Sequence, residues 1–291
     1  MNVLIIGKSG QVAWELMQTC PKNVNAVALG RNDIDITSQE SIECAIYTHK
    51  PTVIINASAY TAVDKAELDK ESAYLINVVA VELLAAASHK HQIRFVHIST
   101  DFVFDGQSNL AYKVSDNPNP INVYGVTKCD GEKAVLKYKN ENFIVVRTSW
   151  AYSINGHNFV KSIIRKIKNN ESLRVVDDQI GCPTYGPDLA KFIWRVLQVK
   201  NANSIYHWCD NGIASWYDFA FEVLSLAEKY CLVNSGKVSV VRCKTSDYAS
   251  KIQRPVFSLL DNSQSQEILQ SKHWRSNLND FFRDNKKILM D

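Results

Sequence analysis

Tyr124 and Lys128 form the one Tyr-x-x-x-Lys spacing in the sequence. At the start of a helix, residues four apart share a face. A protonated lysine beside a phenol lowers the phenol's pKa. The phenol can then give a proton to a carbonyl oxygen, or take one from an alcohol, near neutral pH. Upstream, Ser99-Thr100-Asp101 closes an apolar run from Arg94. Thr100 is therefore expected at a strand end, its hydroxyl facing Tyr124 across a cleft. A second constellation lies at the beginning of the chain, where Gly7-Lys-Ser-Gly10-Gln-Val-Ala13 has the spacing G-x-x-G-x-x-A. Glycine at Gly7 and Gly10 permits a tight turn and lets the backbone approach a pyrophosphate. A helix N-terminus just beyond supplies N–H groups and the positive end of its dipole. A dinucleotide cradle and a proton-transferring phenol together point to redox chemistry at a carbonyl or an alcohol.

The cofactor can be narrowed at the end of the next strand. An acidic residue there holds the free ribose hydroxyl of NAD. This chain instead reads Leu29-Gly30-Arg31. Arg31 can pair with a 2′-phosphate and stack on adenine, so NADPH is expected, with NADH the alternative. Asp35 and Ile36 follow where adenine contacts commonly fall. Lys128 can also hydrogen-bond the nicotinamide ribose.

These residues need a scaffold, and the first 150 residues supply one by alternating strand and helix signals. Near-continuous apolar runs predict strands at Asn2–Gly7, Val24–Leu29, Val53–Ala59, Arg94–Thr100 and Phe143–Trp150. Helices are expected at Gly10–Thr19, from a capping box at Thr37-Ser-Gln-Glu40 toward Lys50, at Glu67–Lys90 and at Tyr124–Tyr138. Repeated β-α units with such strands predict an α/β fold with a doubly wound, Rossmann-like parallel sheet. Beyond residue 150 the pattern is less regular. Helices are expected at Asn158–Asn169, Pro187–Leu197, Ser215–Tyr230, Gln264–Gln270 and Trp274–Lys287, and strands at Leu173–Ile180 and Lys237–Cys243. The expected division is a dinucleotide-binding domain of residues 1–150 with about 186–214. A smaller, interleaved α/β substrate-binding domain takes about 151–185 and 215–291.

The chain has 291 residues, 46% hydrophobic and 22% charged, which rules out a disordered chain or a coiled coil. At about 150 residues per domain, its length suits roughly two domains. A net charge of +3 gives no bulk electrostatic reason to expect nucleic acid or an anionic membrane as partner. Apolar runs such as Val53–Ala59 fall well short of the roughly 20 residues of a membrane span. The opening MNVLIIGKSG reads as a buried strand rather than a signal peptide. Seven cysteines without a C-x-x-C exclude a disulfide framework or a zinc site and suit a reducing cytoplasm.

The order of motifs resembles the extended short-chain dehydrogenase/reductases, and more narrowly the dTDP-4-dehydrorhamnose reductase family. The matching segments are Gly7–Leu16, Asn56–Glu67, Ser99–Gly106, Tyr124–Glu132, Arg147–Tyr152, Asp177–Tyr185 and Arg254–Asp261. The resemblance implies reduction of the 4-keto group of dTDP-4-dehydro-6-deoxy-L-mannose to dTDP-L-rhamnose by NADPH. It makes Tyr124 the proton donor, with Lys128 tuning it and Thr100 holding the sugar carbonyl. Gln11 and Val12 would touch the pyrophosphate. Ala57, Ala59, Tyr60 and Thr61 would line the cofactor channel. Val103, Phe104 and Trp150 would contact the sugar nucleotide. Glu15 matches a position linked to magnesium in some members, which keeps that ion a candidate, and a homodimer is the candidate assembly. Ala13 replaces the third glycine and Phe102 a more usual tyrosine, so the sugar's identity is less firmly implied than the chemistry. A 4,6-dehydratase of the same superfamily needs a glutamate after Asp101, where Phe102 stands. A reductase or epimerase for another nucleotide sugar remains an alternative. So does a non-catalytic NADP-binding subunit like that of methionine adenosyltransferase.

Overall fold

The computed structural model describes residues 1–234, 236–248 and 252–290. Six strands form one parallel sheet: β1 (Asn2–Ile6), β2 (Asn25–Leu29), β3 (Val53–Asn56), β4 (Arg94–Thr100), β5 (Phe143–Thr148) and β6 (Ile205–Trp208). Their order is β6-β5-β4-β3-β1-β2. The order reverses between β1 and β3, and ligands of doubly wound sheets bind outside the carboxyl ends at such a reversal.

Both faces of the sheet are covered, which explains why its strands read as unbroken apolar runs. In β1, Val3 and Ile5 join one core with α1 (Gln11–Gln18) and α6 (Gly186–Val196). Leu4 and Ile6 join another with α2 (Gln39–His49), α3 (Lys70–Lys90) and α4 (Val123–Leu136). All four are at most 3% exposed, and each full burial stabilises by about 1.5–3 kcal/mol. A third core joins α5 (Phe159–Lys168), α7 (Trp216–Lys229) and α8 (Trp274–Met290) around the parallel pair Leu173–Val176 and Val240–Cys243.

Several sequence expectations are corrected locally. Strand β6 was not expected at all. The single strand expected over Leu173–Ile180 is two short ones, Leu173–Val176 and Ile180–Gly181. The cap of α2 is Ser38, which accepts from Ser41 N, because the Thr37 hydroxyl is spent on Asp35. The helix expected from Glu67 starts at Lys70, where Asp69 caps it by accepting from Ser72 N. It carries a π turn over Leu75–Val79, a deviation that often marks functional sites. Among the described residues, Lys70–Lys90 is also the one helix long and apolar enough to cross a membrane by length and composition. In this fold Val81, Leu84 and Ala85 bury it in the sheet's core.

Candidate active site

Helix α4 carries both residues of the Tyr-x-x-x-Lys spacing. Asn122 caps it by accepting from Gly125 N at 2.8 Å, and Glu67 accepts from Val123 N at 2.8 Å. Two glycines let the helix press against its neighbours. A Cβ on Gly125 would stand 2.2 Å from the Phe102 carbonyl oxygen, and one on Gly131 2.3 Å from that of Asn77. Asn77, inside the π turn, accepts from Tyr60 N and donates to Tyr60 O and Thr127 Oγ1. One buried amide thus ties the Tyr60 backbone to the helix turn between Tyr124 and Lys128.

The structure brings Thr100, Tyr124 and Lys128 together at the carboxyl end of β4. Thr100 Oγ1 accepts from Phe102 N at 3.2 Å and donates to Asp101 Oδ1 at 3.0 Å. The Tyr124 ring meets Phe102 edge-on, with centroids 5.6 Å apart. Lys128 Nζ lies 2.7 Å from Ile98 O and 3.2 Å from His97 Nε2. The expected tuning is not what the ligand-free site does. Burial pushes the Tyr124 phenol up to about 12; the Thr100 hydroxyl works against this shift and Asp101 adds to it. Burial also pulls Lys128 down to about 8, opposed by Glu132. Desolvation outweighs the expected lysine–phenol coupling because the fold excludes water from both groups. Asp101, which the sequence reading did not use, is lifted by burial to about 6 against hydrogen bonds from Ser258 and Thr100.

At the reversal point, Gly7 has φ +105°, and a Cβ there would lie 2.9 Å from Ser58 N. Gly10 is the N-cap of α1 and brings no side chain to cover the helix's first N–H groups, those of Gln11 and Val12 included. The turn therefore keeps its donors and its room for a pyrophosphate, as an anion site at a helix N-terminus requires. Beyond β2, Arg31 is exposed, with no side-chain partner among the described residues. Lys8, missed in the sequence, stands nearby: its Cβ is 3.4 Å from where a Cβ on Gly30 would be, and its Nζ is 3.8 Å from Asp33. These residues fit a phosphorylated dinucleotide.

The sequence pattern described as the RmlD substrate binding domain matches residues 1–287. The chain belongs to that family. A dTDP-4-dehydrorhamnose reductase of Aggregatibacter actinomycetemcomitans is 38% identical over 94% of this chain and 96% of its own. The crystal structure of a dTDP-4-dehydrorhamnose reductase of Clostridium acetobutylicum is 36% identical, with a TM-score of 0.91 over 98% of this chain and 100% of its own. That of Bacillus anthracis, in complex with NADP, is 33% identical, with a TM-score of 0.90 over 97% and 98%.

Not every residue expected at the site of this RmlD-family chain reaches it. Val103 and Phe104 are fully buried. The 3-10 turn Asp101–Val103 turns the chain inward, and Phe104 stacks on Tyr112 at 4.2 Å beneath the Arg147 guanidinium. Their side chains belong to the third core. The Asp35 carboxylate is occupied by Thr37, accepting from its N and Oγ1, and Ile36 packs partly into the core. Ala57, Ala59 and Tyr60 are half-buried after β3, and Thr61 is exposed. Trp150 has φ 46°, an uncommon left-handed conformation for a bulky residue. Its indole stacks on that of Trp216, with centroids 3.7 Å apart. The pair closes one wall of a slot of about 110 Å³, also lined by Phe102, Gln179, Arg254 and Ser258. Trp216 carried no motif signal, whereas Gln179, Arg254 and Ser258 lay unassigned within the matching segments. Among the described residues no group of three or more His, Cys, Asp or Glu could hold a metal. Glu15, the carboxylate considered for magnesium, is buried and accepts from Ser153 Oγ at 2.5 Å.

Proposed function

We propose that this protein reduces the 4-keto group of dTDP-4-dehydro-6-deoxy-L-mannose to give dTDP-L-rhamnose, using NADPH in the cytoplasm. Bound NADPH supplies the hydride. The reading is carried by the meeting of a protonated phenol, Tyr124, with the Thr100 hydroxyl at the carboxyl edge of the sheet, the edge that also carries the open glycine turn after β1. Tyr124 gives its proton to the oxygen of the reduced carbonyl. Thr100 orients that oxygen by a hydrogen bond. Lys128 holds the nicotinamide ribose. Gly7, Gly10, Gln11 and Val12 hold the pyrophosphate, and Ala57, Ala59, Tyr60 and Thr61 line the channel. Residues about 151–185 and 215–291 form the substrate-binding part, with Trp150 against an apolar face of the sugar nucleotide.

The test follows NADPH oxidation by absorbance, with the keto sugar nucleotide generated in place and the product identified by mass and chromatography. Turnover to dTDP-L-rhamnose is expected. Tight NADPH binding without turnover would reject the assignment. A second measurement concerns the cofactor. If Arg31 holds the 2′-phosphate, Arg31→Ala should raise KM for NADPH by about tenfold, a loss of about 1.4 kcal/mol. KM for NADH should stay nearly constant. An equal change for both would remove Arg31 from that role.

A further inference from the structure

His97 is a fully buried histidine on β4, beneath the catalytic helix, and the chemistry described above leaves it unused. Its hydrogen bonds can be assigned by asking which groups can only donate. Ser58 N is a backbone donor and lies 3.1 Å from Asn56 Oδ1; Ser58 Oγ donates to the same oxygen at 2.6 Å. The Asn56 amide is thereby oriented, with Nδ2 facing His97 Nδ1 at 3.2 Å. An amide NH₂ has no acceptor, so Nδ1 must offer its lone pair, and a neutral ring then carries its proton on Nε2. Nε2 faces Lys128 Nζ at 3.2 Å. Two donors cannot share that contact.

We propose that the Asn56–His97 pair is a positioning device for Lys128: it fixes the ring proton on Nε2 and holds the lysine as a neutral, accepting amine in the ligand-free protein. The amine accepts from His97 and donates to Ile98 O. Charging Lys128 takes a proton from solvent while the ring proton moves from Nε2 to Nδ1, which gives up the Asn56 bond. The inference rests on reading Lys128 as part of the reductase site.

The surroundings agree with this assignment. Burial holds His97 well below its ordinary value, so the ring is neutral, and it lowers Lys128 to about 8, so the amine is neutral above that pH. Glu132, on the same helix, opposes the lowering of Lys128 but is engaged by Arg147 from β5. Asp101, from the 3-10 turn, acts on Tyr124, and the π turn of α3 presents only the uncharged Asn77.

The tautomer can be read in the ligand-free wild type by two-bond ¹H–¹⁵N correlation on histidine-labelled protein, with His97→Gln used to assign the signal. The expected result above about pH 8, where Lys128 has given up its proton, is a protonated Nε2 and a bare Nδ1. A proton on Nδ1, or a charged ring, would overturn the proposal. Asn56→Asp reverses the chain of donors: the carboxylate accepts from Ser58 and from His97 Nδ1–H, and Nε2 then accepts from a Lys128 ammonium. In that variant the tautomer signature should swap at the same pH. If it stays put, the proposal fails; if the variant does not fold, the wild-type spectrum decides alone. A wild type that turns over the sugar nucleotide yet carries Nδ1–H loses this inference and keeps the reductase reading. One with the expected tautomer but no turnover loses both the reading and the purpose proposed for the pair.

Discussion

Tyr124→Phe is expected to lower kcat for the reduction by about 100-fold or more, while KM for NADPH stays within about twofold. The substitution keeps the ring, and with it the edge-on contact to Phe102. It removes only the hydroxyl. About 2.7 kcal/mol of transition-state stabilisation corresponds to that loss. The sign of the pH dependence follows from the buried phenol. A group lifted to about 12 keeps its proton throughout the neutral range. As a proton donor it is therefore competent at every pH below that value. The reverse reaction, oxidation of the alcohol, needs the phenolate, so its rate should climb with pH where the forward rate does not. Stopped-flow traces in both directions check this. A Tyr124→Phe enzyme within a factor of about three of wild type would remove the phenol from the proton-transfer step.

The second large effect is on stability. Glu132→Gln should lower it by about 3–5 kcal/mol, because it leaves the Arg147 guanidinium buried without its counter-charge. Both side chains are 2% exposed, and Arg147 Nε and Nη2 donate to the carboxylate at 2.9 and 2.7 Å. The remaining Nη1 faces His207 Nε2 at 3.3 Å, and His207 donates through Nδ1 to Tyr112 O. The pair therefore joins α4 to β5, and through His207 to β6. In a chain of this size, about 2 °C per kcal/mol translates the loss into a Tm roughly 6–10 °C lower. Replacing both partners by apolar residues, Glu132→Leu with Arg147→Met, should recover much of it, since no lone charge is left behind. Calorimetry on the three proteins separates the cases. A single variant that melts with wild type would show that water reaches the pair.

Much of this arrangement can be read in the sequence where one short segment determines it. A strand buried on both faces must be apolar at every position, which made β1 and β3 to β5 legible. β6 escaped because it is four residues long and carries His207, a polar residue whose partners come from Tyr112 and Arg147. The spacing of Tyr124 and Lys128, and the strand end at Thr100, carried the reacting groups. What spacing cannot carry is exposure to water. The reversed sign of the Tyr124 shift depends on burial that the whole fold creates. The slot beside Trp150 is similar, because Gln179, Trp216 and Arg254 arrive from three separate stretches of chain. Val103 and Phe104 show the converse. The family resemblance implied that both contact the sugar nucleotide, but a single 3-10 turn sends both side chains into the core.

The long helix Lys70–Lys90 has a consequence for synthesis on the ribosome. Its apolar side is covered partly by β4, β5 and α4, all encoded after it. From the completion of residue 90 to that of residue 148, at about 5–20 residues per second, the nascent chain lacks part of that cover for roughly 3–12 s. During that interval a run with the length and composition of a membrane span lacks the strands and helix that cover it in the finished fold.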